Sequence, residues 1–318
     1  MRFCAYPENR DFFMNQYKIG PWLVFAAALM WSLDAPFRKF LTQDLPSSTI
    51  VLMEHLVIGV LVLVFLFSYL KELKKLEFKE WLAVIFIGLG GSALATIAFT
   101  QSFHYLNPSV AILVQKVQPF IAILLAHLIL KERLTKHFWL WSLLAVAGAY
   151  LVSFPEIKIT GLSLAGGSLG VLLAFVAAFF WGGSTVMGRV VMKKISFQAM
   201  TAARFLTALV FLLVMDLFSG NLGSVGNATP KDWLFVFIIA VLAGFVSLFI
   251  YYKGLQSTKA SIATIAELAF PFSAVIVNWK FLGATLHPMQ IIGGLILLGA
   301  LYGLTRVNIK EYEAAPIE

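Results

Sequence analysis

Long charge-free stretches, broken by glycine, proline, asparagine and clusters of charge, dominate the pattern of this chain. Runs 81–115, 159–188, 233–252 and 281–305 contain no Asp, Glu, Lys or Arg. Each is long enough for one or more membrane-spanning helices of ~20 residues. Divided at their polar breaks, the apolar segments predict ten helical cores, at 19–40, 48–70, 81–103, 109–130, 137–154, 168–190, 197–218, 232–252, 260–280 and 287–305. The expected fold class is therefore an all-α membrane protein with ten transmembrane helices.

Composition agrees with the pattern. Of 318 residues, 60% are hydrophobic and 13% charged, where soluble proteins carry about a quarter. Residues 1–18 form a polar tail with Arg2, Glu8, Arg10, Asp11 and Lys18, followed by an apolar segment too long for a cleaved signal peptide, so the first span is retained. Met14 is an alternative start. Cys4, the only cysteine, lies in this tail and excludes an intrachain disulfide or a CxxC redox motif.

The charge of +8 is mostly a topology signal. With the N-terminus inside, seventeen of the 24 Lys and Arg residues fall on the cytoplasmic side and five (Arg38, Lys39, Lys158, Lys231, Lys280) on the outer side. The positive-inside rule then places both termini in the cytoplasm. The basic stretch KELKKLEFKE at 71–80 reads as a solvated loop facing anionic lipid, not a nucleic-acid site. The two remaining bases, Lys116 and Arg204, lie inside predicted spans.

The chain also repeats itself. WSLDAPFRK from Trp31 aligns with WGGSTVMGR from Trp181, and LNPSVAILVQKVQPFIA from Leu106 with TKASIATIAELAFPFSA from Thr258, at offsets of 150 and 152. The second alignment pairs Gln115 with Glu267 and Pro119 with Pro271; the first offset pairs Glu54 with Arg204. Two five-helix halves result, 19–154 and 160–306, flanked by tails 1–18 and 307–318. Because five is odd, the second half starts from the opposite face, which makes the repeats inverted and places a substrate site near the midplane between them.

These residues resemble the two EamA domains of the drug/metabolite transporter superfamily. The resemblance covers nearly all of the chain after the tail and rests on the Trp of each half's first helix, LNPSVAILVQKVQPF followed by LKERL, and LQSTKASIATIAELAFPF. It implies a secondary active transporter in the inner or plasma membrane, moving a small polar metabolite, such as an amino acid or amine, outward by alternating access. The chain departs from the pattern at Glu54, the repeat partner of Arg204, and at Ala284, which stands where Glu132 supplies an acid in the first half.

The candidate site collects the charges buried at bilayer depth. An ionisable group there costs about 2.5–3.5 kcal/mol on insertion scales, so it faces a cavity or a partner. Glu267 in ELAFP is followed by Pro271, which removes a backbone donor and loosens the helix. Either Glu267 lines the pathway or it fixes helix packing in a buried pair with Arg204. Helix direction puts Asp34, Glu54, His55 and Lys116, the last beside Gln115, in the outer half, and Arg204 and Glu267 in the inner half. Three acids against two bases and one histidine suit a zwitterionic or cationic metabolite, or a proton carried by the unpaired acid. Trp31 and Trp181 wall the cavity or pack as filler. Pro119 and Pro271 bend their helices, with Gly182 and Gly183 giving similar freedom. Glu132 is expected to cap helix 5 or to pair with a neighbouring base. The Gly166–Gly170 and Gly299–Gly303 spacings permit close helix contact without by themselves showing a homodimer.

Other function classes have less support. There is no phosphate-binding glycine loop and no HExxH, and the five histidines are scattered, so neither a cofactor nor a metal site is expected. An intramembrane enzyme would have to use Asp34 and Glu54 as its acid-base pair. A channel or passive facilitator shares the polar cavity but not the reason for duplicated inverted halves.

Overall fold

A computed structural model describes residues 10–106, 108–153, 168–281 and 287–313, and every regular element among them is helical. The helices are α1 (Arg10–Trp31), α2 (Asp34–Asp44), α3 (Ser47–Leu73), α4 (Phe78–Ile85), α5 (Ala95–Tyr105), α6 (Pro108–Gln115), α7 (Gln118–Leu130) and α8 (Lys136–Ser153). The second half contributes α9 (Ser168–Val191), α10 (Phe197–Ser219), α11 (Pro230–Ile238), α12 (Ser247–Leu255), α13 (Ala260–Ala266), α14 (Phe270–Phe281) and α15 (Pro288–Glu313). π-helical stretches at Phe86–Leu94 and Ile239–Val246 join α4 to α5 and α11 to α12, and a 3-10 turn at Glu267–Ala269 joins α13 to α14. Seven helices, counting such joined pieces as one, are long and apolar enough to cross a membrane. Their outer faces suit lipid: Val64 is 82% and Phe218 85% exposed.

Packing follows the repeat. The most extensive helix pairs are α8 with α15, α3 with α10, α1 with α12 and α5 with α9. Shifting by the repeat offset converts the α1–α12 pair into α9–α5 and maps the other two pairs onto themselves. The largest apolar cluster joins Val24, Phe25, Ala28, Ile87, Met200, Tyr251, Tyr252, Leu255 and Ala266, so it sits where α1, the first π stretch, α10, α12 and α13 meet. The helix α1 begins at Arg10, inside what the polarity of residues 1–18 marks as a tail.

Small residues allow α8 and α15 to cross closely. A Cβ on Gly148 of α8 would lie 2.8 Å from the Gly293 carbonyl of α15, and one on Gly293 2.7 Å from the Gly148 carbonyl. Neither backbone can yield to a side chain. Gly293→Val is expected to lower stability by about 1–3 kcal/mol through overpacking, whereas Gly299→Ala, with nothing within 4 Å, leaves it unchanged; thermal unfolding in detergent distinguishes them. Of the glycines read from the sequence as contact candidates, Gly170 faces Tyr105 and Leu106, Gly303 faces Trp141, and Gly166 lies outside the described residues.

Candidate functional site

Three breaks in the helices aim polar groups inward. Residues 32 and 33 separate α1 from α2, with Trp31 and Asp34 on either side. Lys116 and Val117 separate α6 from α7, and Pro119 is the second residue of α7. Glu267 opens the 3-10 turn before α14, in which Pro271 is also second. In both cases the proline starts the new helix, where its missing N–H costs little; the sequence predicted bends within continuous helices 109–130 and 260–280. The π stretches sit at equivalent positions of the repeats and leave carbonyls free for side chains. The Gly91 carbonyl accepts from Trp181 Nε1 at 2.8 Å and from Arg204 Nη2 at 3.3 Å.

Around one end of the cavity an ionic cluster forms. Arg38 Nε donates to both Asp34 oxygens at 2.9 Å, Nη2 pairs with Glu54 Oε1 at 2.8 Å, and Nη1 donates to Thr100 Oγ1 at 2.9 Å. Arg38 is only 2% exposed. Counting it among the outer loop bases is therefore corrected: two carboxylates compensate the guanidinium, which lets it enter the helix interior. His55 Nδ1 lies 2.8 Å from the Val51 carbonyl, and its ring meets Phe205 edge-on.

Glu267 is held by neutral groups. Tyr251 OH donates to Oε1 at 2.8 Å, Gln118 Nε2 to Oε2 at 2.5 Å, and Thr185 Oγ1 to Oε1 at 3.4 Å. Gln115 Nε2 in turn donates to Gln118 Oε1 at 3.1 Å. Arg204 donates to Ser92 Oγ at 2.6 Å, Tyr252 OH at 2.9 Å and the Gly91 carbonyl. The expected Arg204–Glu267 ion pair is absent among the described residues, because hydroxyls, an amide and a carbonyl satisfy each group first. Lys116 sits 4.8 Å from the Phe270 ring centroid and within electrostatic reach of Glu267. His55 feels both Arg38 and Arg204, so the two tiers expected from helix direction meet.

The cavity between these groups has a volume of about 160 Å³. Asp34, Glu54, His55, Gln115, Arg204, Glu267, Trp31 and Trp181 all line it; Lys116, Pro119 and Pro271 do not. Its aromatic walls are repeat-related. Trp31 packs on Tyr251 with centroids 5.4 Å apart and Trp181 on Phe99 at 5.1 Å, and Phe99 corresponds to Tyr251 at the offset of 152. Each indole reaches the π-helical region of the other half: Trp31 Nε1 donates to Ser247 Oγ at 2.9 Å, just past the second stretch, as Trp181 does to Gly91 in the first. Sequence reading missed Arg38, Ser92, Thr100, Gln118, Thr185, Tyr251 and Tyr252.

Residues 18–154 and 168–306 each match the EamA-like transporter family. The chain is 31% identical over 303 residues to the riboflavin transporter ImpX of Fusobacterium nucleatum, which covers 93% of this chain and 100% of that one. It is 22% identical over 319 residues to the uncharacterized transporter YetK of Bacillus subtilis, across 99% of this chain and 95% of the other. A crystal structure with 17% identity superposes with a TM-score of 0.72 over 93% of this chain and 99% of its own, a likeness of fold.

Proposed function

The chain belongs to the EamA-like transporter family, as a multi-pass membrane transporter and not an enzyme, and from this premise we propose that it carries a neutral, flat-ringed polar metabolite of the riboflavin class by alternating access. The observation that carries the substrate reading is the charge balance of the site. Arg38 changes the count: Asp34, Glu54 and Glu267 line the cavity against Arg38 and Arg204, and Lys116, outside the lining but within electrostatic reach of Glu267, supplies the third base. A cavity balanced in this way leaves no net charge for a cationic amine to neutralise. The Trp31–Tyr251 and Trp181–Phe99 pairs offer ring faces, and the Gln115–Gln118 amides offer hydrogen-bonding edges. The riboflavin name of the relative at 31% identity points the same way.

The architecture that goes with this reading has ten spans in two inverted five-helix repeats, 19–154 and 160–306, with the tails 1–18 and 307–318 in the cytoplasm. Halves of opposite orientation rock about the cavity and expose it to each face in turn. Transport direction then follows the gradients applied. Single cysteines near Lys75 and Lys136, in a chain whose Cys4 has been replaced, are expected to resist an impermeant thiol reagent in intact cells, while one near Lys158 reacts. The reverse pattern would invert the orientation.

Counterflow in proteoliposomes tests the substrate. Riboflavin, a panel of amino acids and a panel of amines are offered with and without a pH gradient. Saturable exchange of riboflavin supports the proposal, and saturable exchange of an amine alone defeats it. Dependence on the pH gradient would add a proton carried at the Asp34–Glu54 pair. Non-saturating flux would mean a channel.

A further inference from the structure

The link 131–135 between α7 and α8 is irregular, and it begins with Lys131 at φ 55°, the one non-glycine residue with positive φ among the described residues. A side chain is uncomfortable in that conformation. The turn sends Glu132 across to the other half of the chain. There its Oε1 accepts from the Ala260 N–H at 2.8 Å, and its Oε2 from the Ser261 N–H at 3.1 Å and from Ser261 Oγ at 2.5 Å. The carboxylate is buried, and α13 has no cap from its own N-cap residue, Lys259. Glu132 thus satisfies the free N–H groups at the start of α13 from another repeat, which corrects the expectation that it caps helix 5 or pairs with a neighbouring base. Arg189 of α9 attracts the same carboxylate and donates to the Leu255 and Gln256 carbonyls at 3.0 and 2.5 Å, tying down the turn before α13.

The helix α13 is a seven-residue rod, buried throughout. Glu132 holds one end. The other end is Glu267. At the offset of 152, Glu132 corresponds to Ala284, which lies outside the described residues, and Ser261 to Ser109, so the sequence of the other repeat has the serine without the carboxylate.

We propose that Glu132 is a positioning residue of the transport cycle: it latches α13, holds the Glu267 segment in the cavity wall and keeps the cavity shut on the Glu132 face, which opens when this latch is released. The proposal rests on the alternating-access reading above. It makes the two faces unequal, with closure favoured on the Glu132 side.

Accessibility decides it without reference to any substrate. In a background where Cys4 is replaced by serine, Ala243→Cys places a thiol in the cavity wall. An impermeant thiol reagent is applied to vesicles of each orientation. Glu132→Gln is expected to raise labelling from the Glu132 face about tenfold, the effect of one lost charged hydrogen bond. Ser261→Ala should raise it less, and Ala284→Glu should shift the ratio the other way. Riboflavin binding in detergent is measured on the background protein, where it tests the substrate reading and not the latch. Failure of the background protein to bind riboflavin would sink the substrate reading, while the labelling ratio would still judge the latch. An unchanged ratio in folded Glu132→Gln protein overturns the latch. If that variant does not fold, unchanged ratios in both Ser261→Ala and Ala284→Glu overturn it equally.

Discussion

Arg38→Gln is expected to destabilise the protein by about 3–5 kcal/mol, because it leaves the buried Glu54 and the half-buried Asp34 carboxylates without their shared cation. In the native cluster the guanidinium engages Asp34 through Nε, Glu54 through Nη2 and Thr100 through Nη1, so α2, α3 and α5 all meet at one fully buried side chain. A glutamine can reach at most one of these partners. The loss comes from uncompensated charge and not from shape, which the triple variant Arg38→Met, Asp34→Asn, Glu54→Gln isolates. Removing every charge of a buried cluster is often neutral, so the triple variant should fold with close to native stability while its transport is lost. Thermal unfolding in detergent and riboflavin counterflow, measured on both, separate the two effects. If Arg38→Gln unfolds with the native protein, the cluster contributes nothing to holding these helices together.

Arg38 also marks the limit of what the sequence makes legible. Placed at the end of a predicted span beside Lys39, it reads as a loop base. Its burial depends on Glu54, which comes from a different helix. The charges in the middle of apolar stretches are legible because each is costly there, and the repeat offset alone links Gln115 to Glu267. Neutral partners gave no such signal. Ser92, Thr100 and Thr185 barely alter hydropathy, Gln118 carries no charge to mark it, and Tyr251 and Tyr252 end an apolar run as any interfacial aromatic would. The same offset pairs Phe99 with Tyr251 and Thr100 with Tyr252, so the repeat itself contained a signal for these walls. The π-helical stretches are less accessible to sequence reasoning. Their apolar residues fit an α-helix as well, and what distinguishes them is the pull of tertiary partners on freed carbonyls, as at Gly91. Likewise the Arg204–Glu267 pair was the simplest match of opposite charges at one depth, but depth along a helix does not say which side chains face each other.

The consequence for Glu267 is an expected result that differs from that of a buried ion pair. Arg204 and Glu267 share no hydrogen-bond partner, so substitutions at the two sites should behave as independent, adding to within about 0.5 kcal/mol. Glu267→Gln keeps the side-chain shape and an oxygen for Tyr251 and Thr185, yet it sets an amide against the Gln118 amide that now donates to Oε2. The cost to folding is that of a buried hydrogen bond made poorly, about 1–3 kcal/mol. Transport should fall at least tenfold, since about 1.4 kcal/mol of lost charged interaction suffices for that and the carboxylate is the acceptor facing the cavity. Arg204→Gln should lose transport for the complementary reason, with Ser92 and Tyr252 left as hydroxyls without their donor. The double variant should then be as inactive as either single and less stable than both. An ion pair would instead let the double variant recover, because removing both charges cancels the penalty of removing one. Recovery of folding and counterflow in Arg204→Gln, Glu267→Gln would show that the two groups neutralise each other after all, and would leave the carboxylate of ELAFP a packing device and not a reader of substrate.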